Sequence, residues 1–215
     1  MFRLLLMSAE VVNPQRRRDP ARPQHRGELR RARLLAALAA QLQHQSLADV
    51  SIATVADEAG LGRSAFYFYF RGKHEAVTDL LSDIFVDQVT QVSAVIRAAG
   101  DTRDNLSKSL ALVVESWRTQ RTLFLAMLDA RDADPDTRTI WDTWLRRYED
   151  FTADYIDDHR RSPGQDSRDL AHCLISLNER VLERHLRAGG DETAAAALHA
   201  SLVRIWTATI FGMDQ

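Results

Sequence analysis

Cysteine is almost absent from this chain of 215 residues. Cys173 stands alone, which excludes an intramolecular disulfide and fits a reducing cytosol. Nine glycines and five prolines are few for this length and disfavour a sheet-rich fold with many turns. The opening MFRLLLM is too short for a signal segment or a membrane span. Met7 is as good a start as Met1. Enzyme signatures are missing too. There is no G-x-S-x-G, no glycine-rich phosphate loop, no HExxH and no cysteine pair. A di-iron bundle needs two Glu-x-x-His units, and the nearest approach, Asp169-Leu-Ala-His172, is single. These absences predict a cytoplasmic chain with no catalytic residue, no metal, no cofactor and no membrane partner.

What is present is helical. Hydrophobic residues make up 45% of the chain, enough for a substantial core, and alanine and leucine dominate between charged positions. The net charge of −2 hides a split. Residues 1–73 carry 12 Lys and Arg against 6 Asp and Glu, whereas residues 74–215 carry 16 against 24. A basic first third beside an acidic remainder suggests a polyanion partner for that third alone. Chance clustering on solvated faces is the competing explanation.

Residues 1–27 read as a disordered basic arm, with three prolines and five arginines between Ser8 and Gly27. It serves either as a plain flexible terminus or as a phosphate and minor-groove contact. Glu28 to about Gln45 forms a first helix with Leu35, Leu38 and Leu42 on one stripe. Ser51 offers an N-cap oxygen for a short helix from Ile52 to Ala59, which Gly60 stops in a left-handed conformation. A third helix runs from Arg63 to Phe70 and breaks at Arg71-Gly72. A long helix follows from Lys73 to about Ala99. Five more are expected over 103–119, 121–132, 136–160, 167–188 and 192–211. The expected fold is all-α: nine helices, with a helix-turn-helix unit over 28–73 and a larger bundle over 74–215.

The segment VSIATVADEAGLGRSAFYFYFRGKHE carries the functional argument. Two short helices joined by a glycine turn form the unit that lays its second helix in the DNA major groove. Neither is stable alone, and the first helix supplies a floor through Leu35 and Leu38. The outer face of the third helix is then left to bind. Arg63 can be bidentate to a guanine, Ser64 can bond a base or a phosphate, and Ala65 can touch a thymine methyl. Thr54 joins them from the preceding helix. In the run Phe66-Tyr67-Phe68-Tyr69-Phe70, Phe66 and Phe70 are expected inside and Tyr67 and Tyr69 outside on phosphates, with Phe68 undecided. Lys73 adds an ammonium beside helix N–H groups that already favour phosphate.

AGLGR-SAFYFYF-RGK-HEAV resembles the signature of the tetracycline-repressor (TetR) family of bacterial transcriptional regulators. Leu177-Asn178-Glu179-Arg180 and Ile205-Trp206-Thr207 are similar to a mycobacterial branch of it. The resemblance implies a homodimer on palindromic double-stranded operator DNA, released by a hydrophobic small-molecule effector bound in the C-terminal bundle. Two positions depart from the family. Gly62 and Gly72 stand where a hydroxyl or amide residue usually caps a helix, at a cost of only a few tenths of a kcal/mol each.

All four tryptophans lie in the second part of the chain. Trp141, Trp144, Tyr148, Phe151 and Tyr155 step by three and four along one helix, a stripe that by itself reads as core. The resemblance makes it the wall of a pocket formed by Leu110, Val113, Trp117, Trp141, Tyr148, Phe151, Thr152, Asn178 and Trp206. Asn178 is either a ligand contact or a helix–helix hydrogen bond. The mycobacterial branch presents a second asparagine three residues earlier, where this chain has Ile175, which implies a more apolar ligand. The last two helices are expected to pair with their copies through Leu170, Leu174, Leu177 and Val181, then Leu198, Leu202, Ile205 and Ile210. Glu179, Glu183 and His185 are expected in surface or interface pairs. The alternative reading is a helical small-molecule or metal binding protein without DNA activity.

Overall fold

Nine helices and no strand make up the secondary structure of the described residues, which are 23–159 and 167–212 of this computed structural model. Most of the expected basic arm lies outside them. The first helix, α1 (Pro23–Leu42), begins before the expected Glu28 and ends before Gln45. Proline at the first helical position has no N–H to waste and a pre-set φ, so it suits a start here. Leu34, Leu35, Leu38 and Leu42 form the buried stripe of α1.

Helix α2 (Ile52–Glu58) starts with Ser51 at its N-cap, but the hydroxyl makes no capping bond. The backbone opens the helix instead, through Val55 N–H to Ser51 O at 3.0 Å. Gly60 has φ +64°, and a Cβ there would meet the Arg33 guanidinium at 2.6 Å. A left-handed residue at this point ends α2 and turns the chain into α3 (Arg63–Tyr69).

The long α4 (Lys73–Ile96) joins the two parts of the molecule, packing on α1 and on the body helices α5 (Thr102–Thr119), α6 (Arg121–Ala133) and α7 (Pro135–His159). Helices α8 (Ser167–Arg187) and α9 (Glu192–Phe211) complete the body, with α8 packed chiefly on α7 and α9 on α5. Three aspartates start body helices by accepting backbone N–H bonds. Asp101 accepts from Asp104 at 2.9 Å, Asp134 from Thr137 at 2.8 Å, and Asp191 from Ala194 at 2.8 Å. Gly190, between α8 and α9, lies under the His185 ring, which a Cβ would meet at 2.1 Å.

The expected pairing stripes of the last two helices need correction. Leu174, Leu202 and Ile210 are buried within the chain at 4%, 2% and 2% exposure. They hold α8 and α9 onto the body and leave no area for a second copy. Ile205, at 41% exposure, remains outside, with Leu170, Leu177, Val181 and Leu198 half-buried. Glu179 and Glu183 pair inside the protomer with Arg131, and Glu183 also with Arg187.

Candidate functional sites on an outer helix face and in an interior cavity

Helix α3 sits at the surface of the head, held from below by two rings. Phe66 and Phe70 are each 1% exposed, packed 5.3 Å apart between ring centroids, and the Arg31 guanidinium lies over Phe70. Thr54, Arg63, Ser64 and Tyr67 all face out, and Ala65 is half-buried. Arg63 donates to the Tyr67 hydroxyl at 3.3 Å and lies 5.6 Å above that ring, one helical turn along. The hydrogen bond to Tyr67 raises the already high guanidinium pKa, and the charge stays on the outer face.

Two expected contacts are placed otherwise. Tyr69 is half-buried, its ring edge-on to Phe68 at 5.0 Å and its hydroxyl 3.7 Å from where a Cβ of Gly27 would lie. The alternation of Phe and Tyr has the period of a strand. On a helix, residues 66, 69 and 70 share the inner face, while 67 and 68 share the outer one. Phe68 is accordingly 80% exposed. Lys73 spends its ammonium on the loop before α2, donating to Ala48 O at 2.6 Å and Val50 O at 3.3 Å. It ties the start of α4 to the helix-turn-helix, leaving at most one N–H for a phosphate.

Glycine stands at the N-caps of α3 and α4 without a side-chain bond, at Gly62 and Gly72. Beside Gly72, Arg71 donates to Asp136 at 2.9 Å, a bridge from the head to the first turn of α7. Arg31 of α1 with Asp79, and Gln43 just after α1 with Thr122, are further polar ties to later helices. Hydrogen bonds from the Thr137 hydroxyl and backbone N–H hold the Asp134 carboxyl below its ordinary range, so the cap at this junction is charged.

Inside the body, α4, α5, α7, α8 and α9 line a cavity of about 90 Å³. Leu110, Val113, Trp117, Trp141, Tyr148, Phe151, Thr152, Asn178 and Trp206 all line it. Trp144 does not: it packs behind the wall on Phe85, 4.5 Å between centroids. One wall lies outside the sequence-derived set. Phe85, Gln88, Val92 and Ile96 of α4 face the cavity at steps of three and four, a stripe present in the sequence and unread there.

The polar groups of the cavity are few. Trp206 Nε1 donates to Asn178 Oδ1 at 3.0 Å, which makes the helix–helix bond one of the two roles open to Asn178. Trp141 Nε1 donates to Glu179 at 2.7 Å, and Arg131 holds the same oxygen at 2.8 Å. Burial pushes the neighbouring Glu183 carboxyl up, and bonds from Arg187 and Arg131 bring it below its ordinary range. Tyr148 donates to Gln88 Oε1 at 2.8 Å, and burial pushes its pKa far above the ordinary tyrosine value. Burial also pushes Tyr155 up to about 12. Both tyrosines are neutral hydroxyls at any physiological pH. Pockets for drug-sized ligands measure ~300–1,000 Å³, so this cavity must widen to take one.

Residues 34–77 match the model of bacterial regulatory proteins of the tetR family, and residues 106–212 match the C-terminal domain of the transcriptional regulator EthR. The chain is 28% identical to the HTH-type transcriptional regulator EthR of Mycobacterium tuberculosis, covering 97% of this chain and 98% of that one. Identity to EthR of Mycolicibacterium smegmatis is 27%, over 96% and 97% of the two chains. Among solved structures, a putative TetR-family transcriptional regulator from Syntrophomonas wolfei superposes with a TM-score of 0.71 at 14% identity, covering 86% of this chain and 96% of that one. The fatty acid degradation regulator FadR of Bacillus halodurans gives 0.69 at 13% identity, over 87% and 96%.

Proposed function

The chain belongs to the TetR family of bacterial transcriptional regulators, with a C-terminal domain of the EthR type, and we propose that it is a homodimeric repressor whose operator binding is reversed by an apolar ligand. It is a regulator and not an enzyme. Regulators of this family bind operator DNA and small-molecule effectors and are dimeric. For this chain we assign base reading to Arg63 and Ser64 at the N-terminal end of α3, with Ala65 and the exposed Phe68 ring against thymine methyls or sugar. Thr54 and Tyr67 contact phosphate. Lys73 holds the head together and is a phosphate contact only through its remaining N–H. The head is taken as residues 28–73, the ligand-binding and dimerising body as 74–215, and the working compartment as the cytoplasm.

The observation that carries this reading is the pairing of an exposed Arg63–Tyr67 edge on α3 with an apolar cavity in the body of the same chain. The homodimer is supported by α9. That helix is apolar enough and long enough to cross a membrane by composition alone, yet 22% of it is buried. In a chain with this head, a second copy covering Ile205 and the half-buried residues beside it accounts for the rest. Two-fold symmetry then sets the two α3 helices about one DNA turn apart, ~34–36 Å or a multiple.

The test is duplex binding at ~150 mM salt with sequences selected by the protein from a random pool. A dimeric operator reader selects a palindrome, and its affinity falls steeply as salt rises. A helical binding protein with a merely structural N-terminus selects nothing.

A further inference from the structure

Resting on the cavity as the effector site, we propose that Gln88 anchors the effector, a neutral molecule with a carbonyl-type acceptor on an otherwise apolar body. Gln88 sits on α4 at 5% exposure. Its amide has one acceptor end and one donor end. The Tyr148 hydroxyl, at 2.8 Å, satisfies one of them. The other, Nε2, is buried with no partner. With the Tyr148 hydroxyl donating to Oε1, the end left over is an N–H donor, which calls for an acceptor. The cavity neighbours on the same helix, Phe85, Val92 and Ile96, offer no acceptor. Native interiors rarely leave such a group unpaired.

A second unspent group lies in the same cavity. The Tyr155 hydroxyl is buried without a partner, two turns along α7 from Tyr148, roughly 10 Å away along the axis. Asn178, by contrast, already has its oxygen occupied by Trp206. Gln88 on α4 and Tyr155 on α7 thus add to the polar recognition that Asn178 offers on α8, and Tyr155 supplies a second hydrogen bond to an elongated ligand. Charge selects against an acid. Glu179 is the charged residue among those lining the cavity, and no lysine, arginine or histidine lines it. Glu179 is already paired with Arg131, so a ligand carboxylate would be buried there with no cation of its own, whereas an ester, ketone or amide oxygen meets the free N–H of Gln88.

The experiment compares methyl hexyl ketone, the straight alkane of equal heavy-atom number and the carboxylate of matching length. Each is titrated into the full-length protein by calorimetry and thermal shift, using wild type and Gln88→Leu. Gln88→Met serves as a second, near-isosteric variant. The ratio of ketone to alkane affinity is expected to fall ~3- to 10-fold in both variants, with alkane binding retained. The carboxylate is expected to bind weakest to wild type. An unchanged ketone-to-alkane ratio, or tightest binding by the carboxylate, overturns the role of Gln88 and leaves the cavity standing as the ligand site. Failure of all three probes to bind wild type overturns the cavity assignment along with it.

Discussion

In the head, the large side chains are packed to completion and the chemistry faces outward: Phe66 and Phe70 are each 1% exposed, while Arg63, Tyr67 and Phe68 lie in the open. In the body, the arrangement is inverted. Its aromatic side chains surround a space of about 90 Å³, and two of its buried polar groups, on Gln88 and Tyr155, have no partner. A lean three-helix unit must hold one helix rigidly against a groove and has little area to spare. A body that admits a ligand has to leave some interior contacts unmade. The two parts share one continuous apolar core along α4, with polar ties such as Arg71–Asp136 beside it.

The contrast can be broken most severely in the head's core. Phe66→Ala should cost ~3–5 kcal/mol in chemical denaturation and abolish duplex binding, because nothing in so small a unit can fill the hole. Retention of duplex binding by that variant would show that α3 does not depend on its aromatic floor. Arg63→Ala should leave stability nearly unchanged, weaken operator binding by ~1–3 kcal/mol and relax discrimination at one base position. Equal loss on every operator variant would reassign Arg63 to phosphate.

The junction gives smaller effects. Asp134→Ala removes the cap of α7 and should cost ~0.5–2 kcal/mol at neutral pH. The folded-state pKa of Asp134 is lowered by its bonds to Thr137. Its contribution is therefore present above the unfolded value of ~4 and is lost as pH falls through the folded value. The stability gap between wild type and variant should close in acid, and a gap that widens there would contradict the charged cap. Arg71→Ala breaks exposed ion pairs with Asp136 and Glu75, so stability should hardly change. Its larger effect should appear in the difference between operator affinity with and without ligand, since the Asp136 pair links the head to the first turn of a cavity helix.

Much of this was legible in the sequence because local signals agreed. The glycine turn at Gly60, the breaks at Gly100, Pro135 and Gly189-Gly190, and the leucine stripe of α1 put nine helices in order. The head's face was read with the wrong period at one point: Tyr69 packs inward and Phe68 outward because a helix advances 100° per residue. Lys73 was read only in part, for another reason. A lysine beside a helix N-terminus looks like a phosphate contact until folding brings the Ala48 and Val50 carbonyls to it. The nine pocket residues came from family resemblance, and the α4 wall was missed although Phe85, Gln88, Val92 and Ile96 are regularly spaced. Amphipathic spacing marks a buried face and does not say whether that face meets another helix or an empty space. The same limit applied to α9, where the stripe was visible but the share covered by α5 and the share left outside were not.

A link between the outer site and the inner one is the central claim. It is tested most directly by titrating the selected operator duplex with the full-length protein, with and without a neutral apolar compound that raises its melting temperature. A saturating compound is expected to weaken operator binding by ~5- to 150-fold, the usual span of coupling between two sites. Unchanged operator affinity in the presence of a compound bound in the cavity would contradict it.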